Sequence, residues 1–206
     1  MLKKRPLKAT QLMISYQNVT LKNKSFNNQN LSFSDFSNSI LHSCDFSNCD
    51  LTHSNFSGAT LSNCFFSGAN VDQANFRHAI LDTCKLDNLK NVQNALFLKM
   101  SCPEAGPFLA YKQCHNFRIV QLLIPKDAKR SSATNNTCRC SKAKVLTIKS
   151  IDLKTSYKEA VSLVDENFIY RVGEMAIADD YNEDRWVDST HGIHFYMTRE
   201  EAIGYM

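Results

Sequence analysis

The sequence predicts a mainly β protein, a β-helical solenoid followed by a small α+β domain. Three observations carry this. From Leu21 to Leu86 every fifth residue is large and apolar, and Phe alternates with Leu or Val as far as Leu81. A second column, two positions ahead of the first, holds only small residues from Ser34 to Cys84. After the segment 95–98 the beat stops, and short strand-like stretches with two capping boxes take over.

The first column includes Phe36, Leu41, Phe46, Leu51, Phe56, Leu61, Phe66, Val71, Phe76 and Leu81, the predicted core of the solenoid. Neither the 3.6-residue period of a helix nor the 2-residue period of a strand gives this spacing. In extended chain, residues two apart face the same side. Each unit of five therefore points one large and one small residue inward and then turns a corner. Turn-prone pairs follow, such as Ser47-Asn48, Ser57-Gly58 and Ser67-Gly68.

The units Cys44-Asp45-Phe46, Cys49-Asp50-Leu51, Ala69-Asn70-Val71 and Ala74-Asn75-Phe76 resemble the pentapeptide-repeat family, whose consensus is Ala-(Asp/Asn)-(Leu/Phe)-x-x. The resemblance implies a right-handed quadrilateral β-helix with four units per coil, so that residues twenty apart stack. Phe26, Phe46 and Phe66 then form one aromatic ladder, and Phe36, Phe56 and Phe76 an opposing one. The reading divides the chain into a basic N-terminal segment or cap (1–20), the solenoid (21–95) and the second domain (96–206). Lys24 and Gln29 break the small column, and Asn91 stands where a Leu or Phe is due, as terminal repeats often do.

In the second half, Phe108–Tyr111, Phe117–Ile124, Ala143–Ile151, Phe168–Ile177 and Ile193–Met197 read as strands. The capping box Ser156-x-x-Glu159 predicts a helix to about Val164, and Thr198-x-x-Glu201 predicts a terminal one. The strings 123–134, 143–146 and 192–202 resemble an uncharacterised domain found behind pentapeptide repeats in bacterial and phage proteins, which implies no particular chemistry.

The chain has 206 residues, 43% of them hydrophobic and 21% charged, with a net charge of +4. No apolar run approaches the roughly 18 residues of a membrane helix, and the basic start, residues 1–8, is not followed by an apolar signal core. A cytoplasmic location, no membrane partner and eight reduced Cys are expected.

Lys126, Lys129, Arg130, Arg139, Lys142 and Lys144, interleaved with hydroxyls and amides, suggest a phosphate or nucleic-acid site, against a solvated loop. No aromatic residue is interleaved for base stacking, which weakens nucleic acid as a partner. Cys102, Cys114, Cys138 and Cys140, with His115, are metal candidates, against four buried thiols. The Cys44, Cys64 and Cys84 column reads as small hydrophobes. His194 is the catalytic candidate, with His191, Asp184, Arg185 and Trp186 near in sequence. Nothing pairs it with a nucleophile, so the reading leans away from an enzyme and expects no cofactor. The stretch 179–184 is acidic and reads as a solvated turn able to pair with the basic segment.

The function expected is a non-catalytic interaction protein, whose solenoid presents the second domain to an unidentified protein partner. Three alternatives stand beside it. The second domain is an enzyme or phosphate binder. The solenoid mimics DNA for a type II topoisomerase. The chain is a phage structural or accessory protein, self-associating through an open end of the solenoid. The net charge of −3 over residues 31–90 argues against mimicry, since duplex DNA over three coils carries about nine negative charges.

Overall fold

The computed structural model describes residues 14–187 and 190–205. The basic residues 1–8 of the expected N-terminal segment lie outside the described residues. The first half is a β-helix of parallel strands. β1 (Thr20–Lys22), β2 (Ile40–His42), β3 (Thr60–Ser62) and β4 (Ile80–Asp82) pair in order, each with the strand twenty residues on. Single bridges at the same offset join Ser25 to Asp45, Asn30 to Asp50 and Asp35 to Asn55, so the coil repeats every twenty residues.

Backbone sterics place the corners. Positive φ recurs at every fifth position from Asn18 to Asn88, with Asn the commonest residue there and Gly at 58 and 68. Asn and Gly tolerate this left-handed region best. The Asp or Asn of each unit steadies the next corner. Asp35, Asp45 and Asp50 accept from the backbone N–H two residues on, at 2.9, 2.9 and 3.1 Å. Between coils these side chains also link to one another, as in Asn55 Nδ2 donating to Asp35 Oδ1 at 3.2 Å and Asn70 Nδ2 to Asp50 Oδ1 at 3.2 Å. This accounts physically for the acidic or amide position of the repeat.

The interior holds the two expected ladders. Phe46 stacks on Phe26 at 5.0 Å and on Phe66 at 4.9 Å. Phe56 stacks on Phe36 at 4.8 Å and on Phe76 at 5.1 Å. The ladders meet edge to face, as at Phe46 and Phe56, 5.6 Å apart and 88° inclined. Offset stacks and edge contacts are the arrangements aromatic rings favour. Leu31, Leu41, Leu51, Leu61, Val71 and Leu81 fill the remaining interior and are fully buried. The thiols of Cys44, Cys64 and Cys84 donate to the carbonyls of Leu21, Leu41 and Leu61 in the coil before, so the small column is a packing feature.

The solenoid reaches beyond the expected limits at both ends. Ser15 already pairs with Asp35, and Tyr16 stacks on Phe36 at 4.8 Å. At the far end one extra residue enters at Asn91, which adopts φ 59°, and pairing resumes between Asn75 and Leu96, one step late. The missing apolar residue at position 91 is thus an insertion, and Val92 packs on the core instead.

The second domain is antiparallel. β5 (Phe108–Cys114), β6 (Arg118–Ile124), β9 (Lys142–Ser150) and β12 (Met175–Ile177) form a sheet in the order β12-β9-β6-β5. β7 (Arg130–Ser132), β8 (Cys138–Cys140) and β13 (Ile193–Phe195) form a second, ordered β13-β8-β7. β10 (Glu159–Val161) and β11 (Ile169–Arg171) form a hairpin. The stretch expected as one strand over 168–177 is β11 and β12, with Gly173 at φ 87° between them. The terminal helix α1 (Arg199–Ile203) starts at the predicted capping box, with Thr198 and Glu201 bonded reciprocally.

The helix expected from Ser156 to Val164 is instead strand β10 and its flanks. Ser156 bridges Lys149, Tyr157 N–H donates to Ile148 O at 2.9 Å, and Ser162 bridges Cys114. Ala160 and Ser162 turn inward while Glu159 stays exposed. A capping box contributes about 1 kcal/mol locally, less than the strand ladders on both sides. Segment 130–140, read as a loop, supplies β7 and β8. Among the described residues the second domain therefore holds one short α-helix rather than two.

Candidate functional site

The two domains meet at the last coil. Asn38 N–H donates to Ser57 O and Gly58 N–H to Arg77 O, each at 2.9 Å and nineteen residues on. His78 N–H finds its acceptor at the same distance in Thr134 O, on the β7–β8 connection. Thr134 Oγ1 donates to Ala79 O at 2.6 Å, and both Ala133 and Thr134 are buried. Residues 133–134 thus stand where the next coil would run.

Arg185 and Trp186 lock this closure. The Arg185 guanidinium donates to the carbonyls of Ser132 at 2.9 Å, Ala133 at 3.2 Å and Leu98 at 3.1 Å, tying the start of the β7–β8 connection to Leu98, whose side chain packs in the solenoid core. It lies 4.3 Å from the Trp186 ring, which packs on the end of the solenoid core. Both residues therefore serve the junction and do not flank His194.

The basic segment is largely consumed by the fold. Arg139 is buried and donates to the carbonyls of Asn182, Asp184 and Val187. Arg130 donates to Gly106 O, Pro125 O and Ala128 O. Lys129 pairs with Glu183, Lys142 pairs with Asp127 at 2.6 Å, and Lys144 donates to Gly173 O. Lys126 is exposed. The acidic stretch meets the basic one, as expected, but these cations do not converge on an open anion site.

The four Cys of the second domain are free and buried. Among the described residues no three His, Cys, Asp or Glu side chains come together as a metal cage. Burial pushes the Cys114 thiol up to about 11 and the Cys140 thiol up to about 12, so both stay protonated at neutral pH. A buried neutral thiol behaves as a small hydrophobe.

The open space lies around His194. Two adjoining cavities of about 450 and 590 Å³ share Lys112, Val164, Thr190, His191 and His194 in their walls. As expected from strand alternation, His194 faces this space while Ile193 and Phe195 are buried on the other side. His191 reaches Asp180 at 3.3 Å, and both are well exposed. The larger cavity is closed by Gln113 of β5, by Asn135 and Thr137, by Tyr196 and Tyr205, and by His78 of the solenoid. Thr137 Oγ1 donates to the Tyr196 hydroxyl at 3.1 Å.

Lys112 is the residue the sequence reading missed. It is 8% exposed, and burial lowers its pKa from the ordinary lysine value. Its ammonium makes no ion pair or hydrogen bond with any described residue. The signal was present in β5, where Ala110, Lys112 and Cys114 share one face and both neighbours are fully buried. A lysine on the inward side of a strand is rarely left there without a partner.

Residues 98–202, just over half of the chain, match the family described as Family of unknown function (DUF5758). The chain belongs to that family. Ahead of the DUF5758 domain, residues 17–48 and 44–88 match Pentapeptide repeats, in eight copies. None of the curated proteins matches the chain. Among solved structures it is similar to HetL, a pentapeptide repeat protein involved in heterocyst differentiation regulation from Nostoc sp. strain PCC 7120, at 22% identity. That match covers 37% of this chain and 40% of HetL, with a TM-score of 0.18. Rfr23, a pentapeptide repeat protein from Cyanothece 51142, is 26% identical over 43% of this chain and 65% of its own, with a TM-score of 0.20. A pentapeptide repeat protein from the thylakoid lumen of Arabidopsis thaliana is 20% identical over 43% of this chain and 71% of its own, with a TM-score of 0.20. Among the described residues no helix of the DUF5758 protein is long and apolar enough to cross a membrane.

Proposed function

We propose that this DUF5758 protein is a non-catalytic interaction module in which a right-handed, four-sided solenoid and the domain that closes it act as one rigid body. The observation that carries the reading is the junction. Residues 133–134 cap the last coil at His78 and Ala79, and Arg185 ties them to Leu98, whose side chain packs in the solenoid core. A domain seated in this way is held in fixed orientation to the solenoid flanks, as presentation to a partner requires.

The sheet β1–β4 supports a protein partner. Its outward row is Thr20, Ile40, Thr60 and Ile80, and Ile40 and Ile80 are 52% and 46% exposed. Apolar side chains on a flat, rigid face suit a protein surface better than a charged polymer. Thr134 caps the last coil at His78 and Ala79, while β4 keeps one edge unpaired in its sheet, so a homo-oligomer could form at either end of the solenoid. With its net charge of −3 over residues 31–90, the solenoid lacks the charge that DNA mimicry demands. A cytoplasmic setting agrees with eight free Cys.

The test is affinity capture from the native host, comparing the full chain with its Ile40→Lys/Ile80→Lys variant, with folding checked by circular dichroism. Loss of one captured protein in the variant supports the reading. Equal recovery by both chains contradicts the assigned face. Substrate turnover abolished by His194→Ala would contradict the non-catalytic reading.

A further inference from the structure

The nearly buried ammonium of Lys112 opens onto a cavity whose described walls carry no carboxylate. The larger cavity, of about 590 Å³, is lined by Lys112, three His and side-chain hydroxyls and amides, but by no Asp or Glu among the described residues. Asp165, Asp179 and Asp180 line the adjoining space, which Lys112 also borders, and none of them forms an ion pair with it. An ammonium taken out of water without a counter-charge costs several kcal/mol in general, a cost that a bound anion would offset by supplying the missing charge. Cys114 and Cys140, the two thiols that bear on it electrostatically, are neutral at pH 7 and supply none.

The remaining walls set the kind of anion. Thr137, Tyr196 and Asn135 line the space with polar side chains, which suit the polar end of a ligand better than its apolar body. Leu163, Val164 and the Tyr205 ring line it with apolar surface. The volume lies within the range typical of pockets for small organic ligands. His78 comes from the solenoid, so an occupant would touch both domains.

We propose that this cavity is a binding site for a small organic anion, whose carboxylate or phosphate meets Lys112 and whose apolar body rests against Leu163, Val164 and Tyr205. The site is independent of whatever the solenoid flank binds. It also differs from the basic segment, whose cations are engaged elsewhere. Carboxylate and phosphate share the acid group that Lys112 needs, and the two are separated by experiment.

Binding of benzoate, phenyl phosphate and benzylamine to the full chain and to Lys112→Met is measured by isothermal titration calorimetry. The expected result is saturable binding of at least one anion, none of benzylamine, and a loss of about tenfold or more in affinity in Lys112→Met. The tighter anion identifies the acid group preferred. If Lys112→Met does not fold, ring signals of isotope-labelled His in the wild-type chain replace it. Saturable shifts confined to His78, His191 and His194 on adding the tighter anion support the site. Equal binding by the variant, binding of benzylamine as strong as that of the anions, shifts at other His instead, or no saturation by either anion up to about 10 mM would overturn it.

Discussion

The backbone N–H of His78 donates to the carbonyl of Thr134 at 2.9 Å, across 56 positions of chain. One coil lower, the N–H of Gly58 makes the same bond to Arg77 within the repeat itself. The second domain thus supplies the partner that the His78 amide would lack at the end of the solenoid, and Trp186 packs on the core there. Solenoid and cap are one folding problem, and the predictions follow from that coupling.

Arg185→Ala removes three bonds from a guanidinium to the carbonyls of Leu98, Ser132 and Ala133, together with its contact on Trp186. Losing charge-assisted bonds at a half-buried junction costs about 2–3 kcal/mol. Denaturant unfolding should show that loss. Two probes, one in each domain, should still report a single transition while the junction holds.

Phe56→Ala takes a ring out of the middle of both ladder contacts, where it stacks on Phe36 and Phe76 and meets Phe46 and Phe66 edge-on. A fully buried Phe replaced by Ala costs about 3–5 kcal/mol. A drop smaller than 1 kcal/mol in equilibrium unfolding would mean the rings are not stacked.

Ser54→Ala has the opposite sign. The Ser54 hydroxyl is buried in the small column with no hydrogen-bond partner among the described residues. Neighbouring coils place Ala at 59, 69, 74 and 79. Removing an unsatisfied hydroxyl should raise stability by about 1 kcal/mol, read as a higher unfolding midpoint.

Lys112→Met should stabilise the ligand-free protein at neutral pH by roughly 1–2 kcal/mol. The lysine pKa is depressed in the folded state, and burial is the cause. At low pH both states carry the charge, and the native state bears its full cost. As pH rises through the depressed value, the native protein sheds the proton first. Its handicap shrinks until about pH 10.4, where free lysine also titrates. The stability gap between variant and wild type should therefore narrow as pH rises. Unfolding series of both chains at several pH values in an acid-free buffer check this. The Cys114 and Cys140 thiols, raised to about 11 and 12, weaken both chains as the pH rises beyond the ordinary thiol value of about 8.5, and Lys112→Met somewhat more, since it lacks the lysine charge that lowers them; the comparison is therefore read below that pH.

The repeat was legible because its information is local and periodic. Phe46 and Phe66 are stacked by the twenty-residue coil, which a fixed count along the chain reveals. The second domain was less legible because its decisions are non-local. The capping box at Ser156 and Glu159 is a sound local signal, yet Ser156 pairs with Lys149 and Ala160 with Tyr170, and those ladders prevail. The basic segment looked like a patch because its counter-charges and carbonyl acceptors, such as Glu183 and Asp184, lie more than forty residues away. His194 was found as a histidine on the strand expected over 193–197, while Lys112 was passed over because the strand expected there ended at Tyr111, and β5 in fact runs on to Cys114. The cavity that unites them is made by chain folding and leaves no sequence motif.

Amide hydrogen exchange at His78 in the full-length protein tests the central claim most directly. If residues 133–134 stand in for the next coil, the His78 amide is protected to the same degree as those of Asn38 and Gly58, and Arg185→Ala lowers its protection without lowering theirs as far. A His78 amide exchanging as fast as one open to solvent, while Asn38 and Gly58 stay protected, would mean the second domain does not close the solenoid.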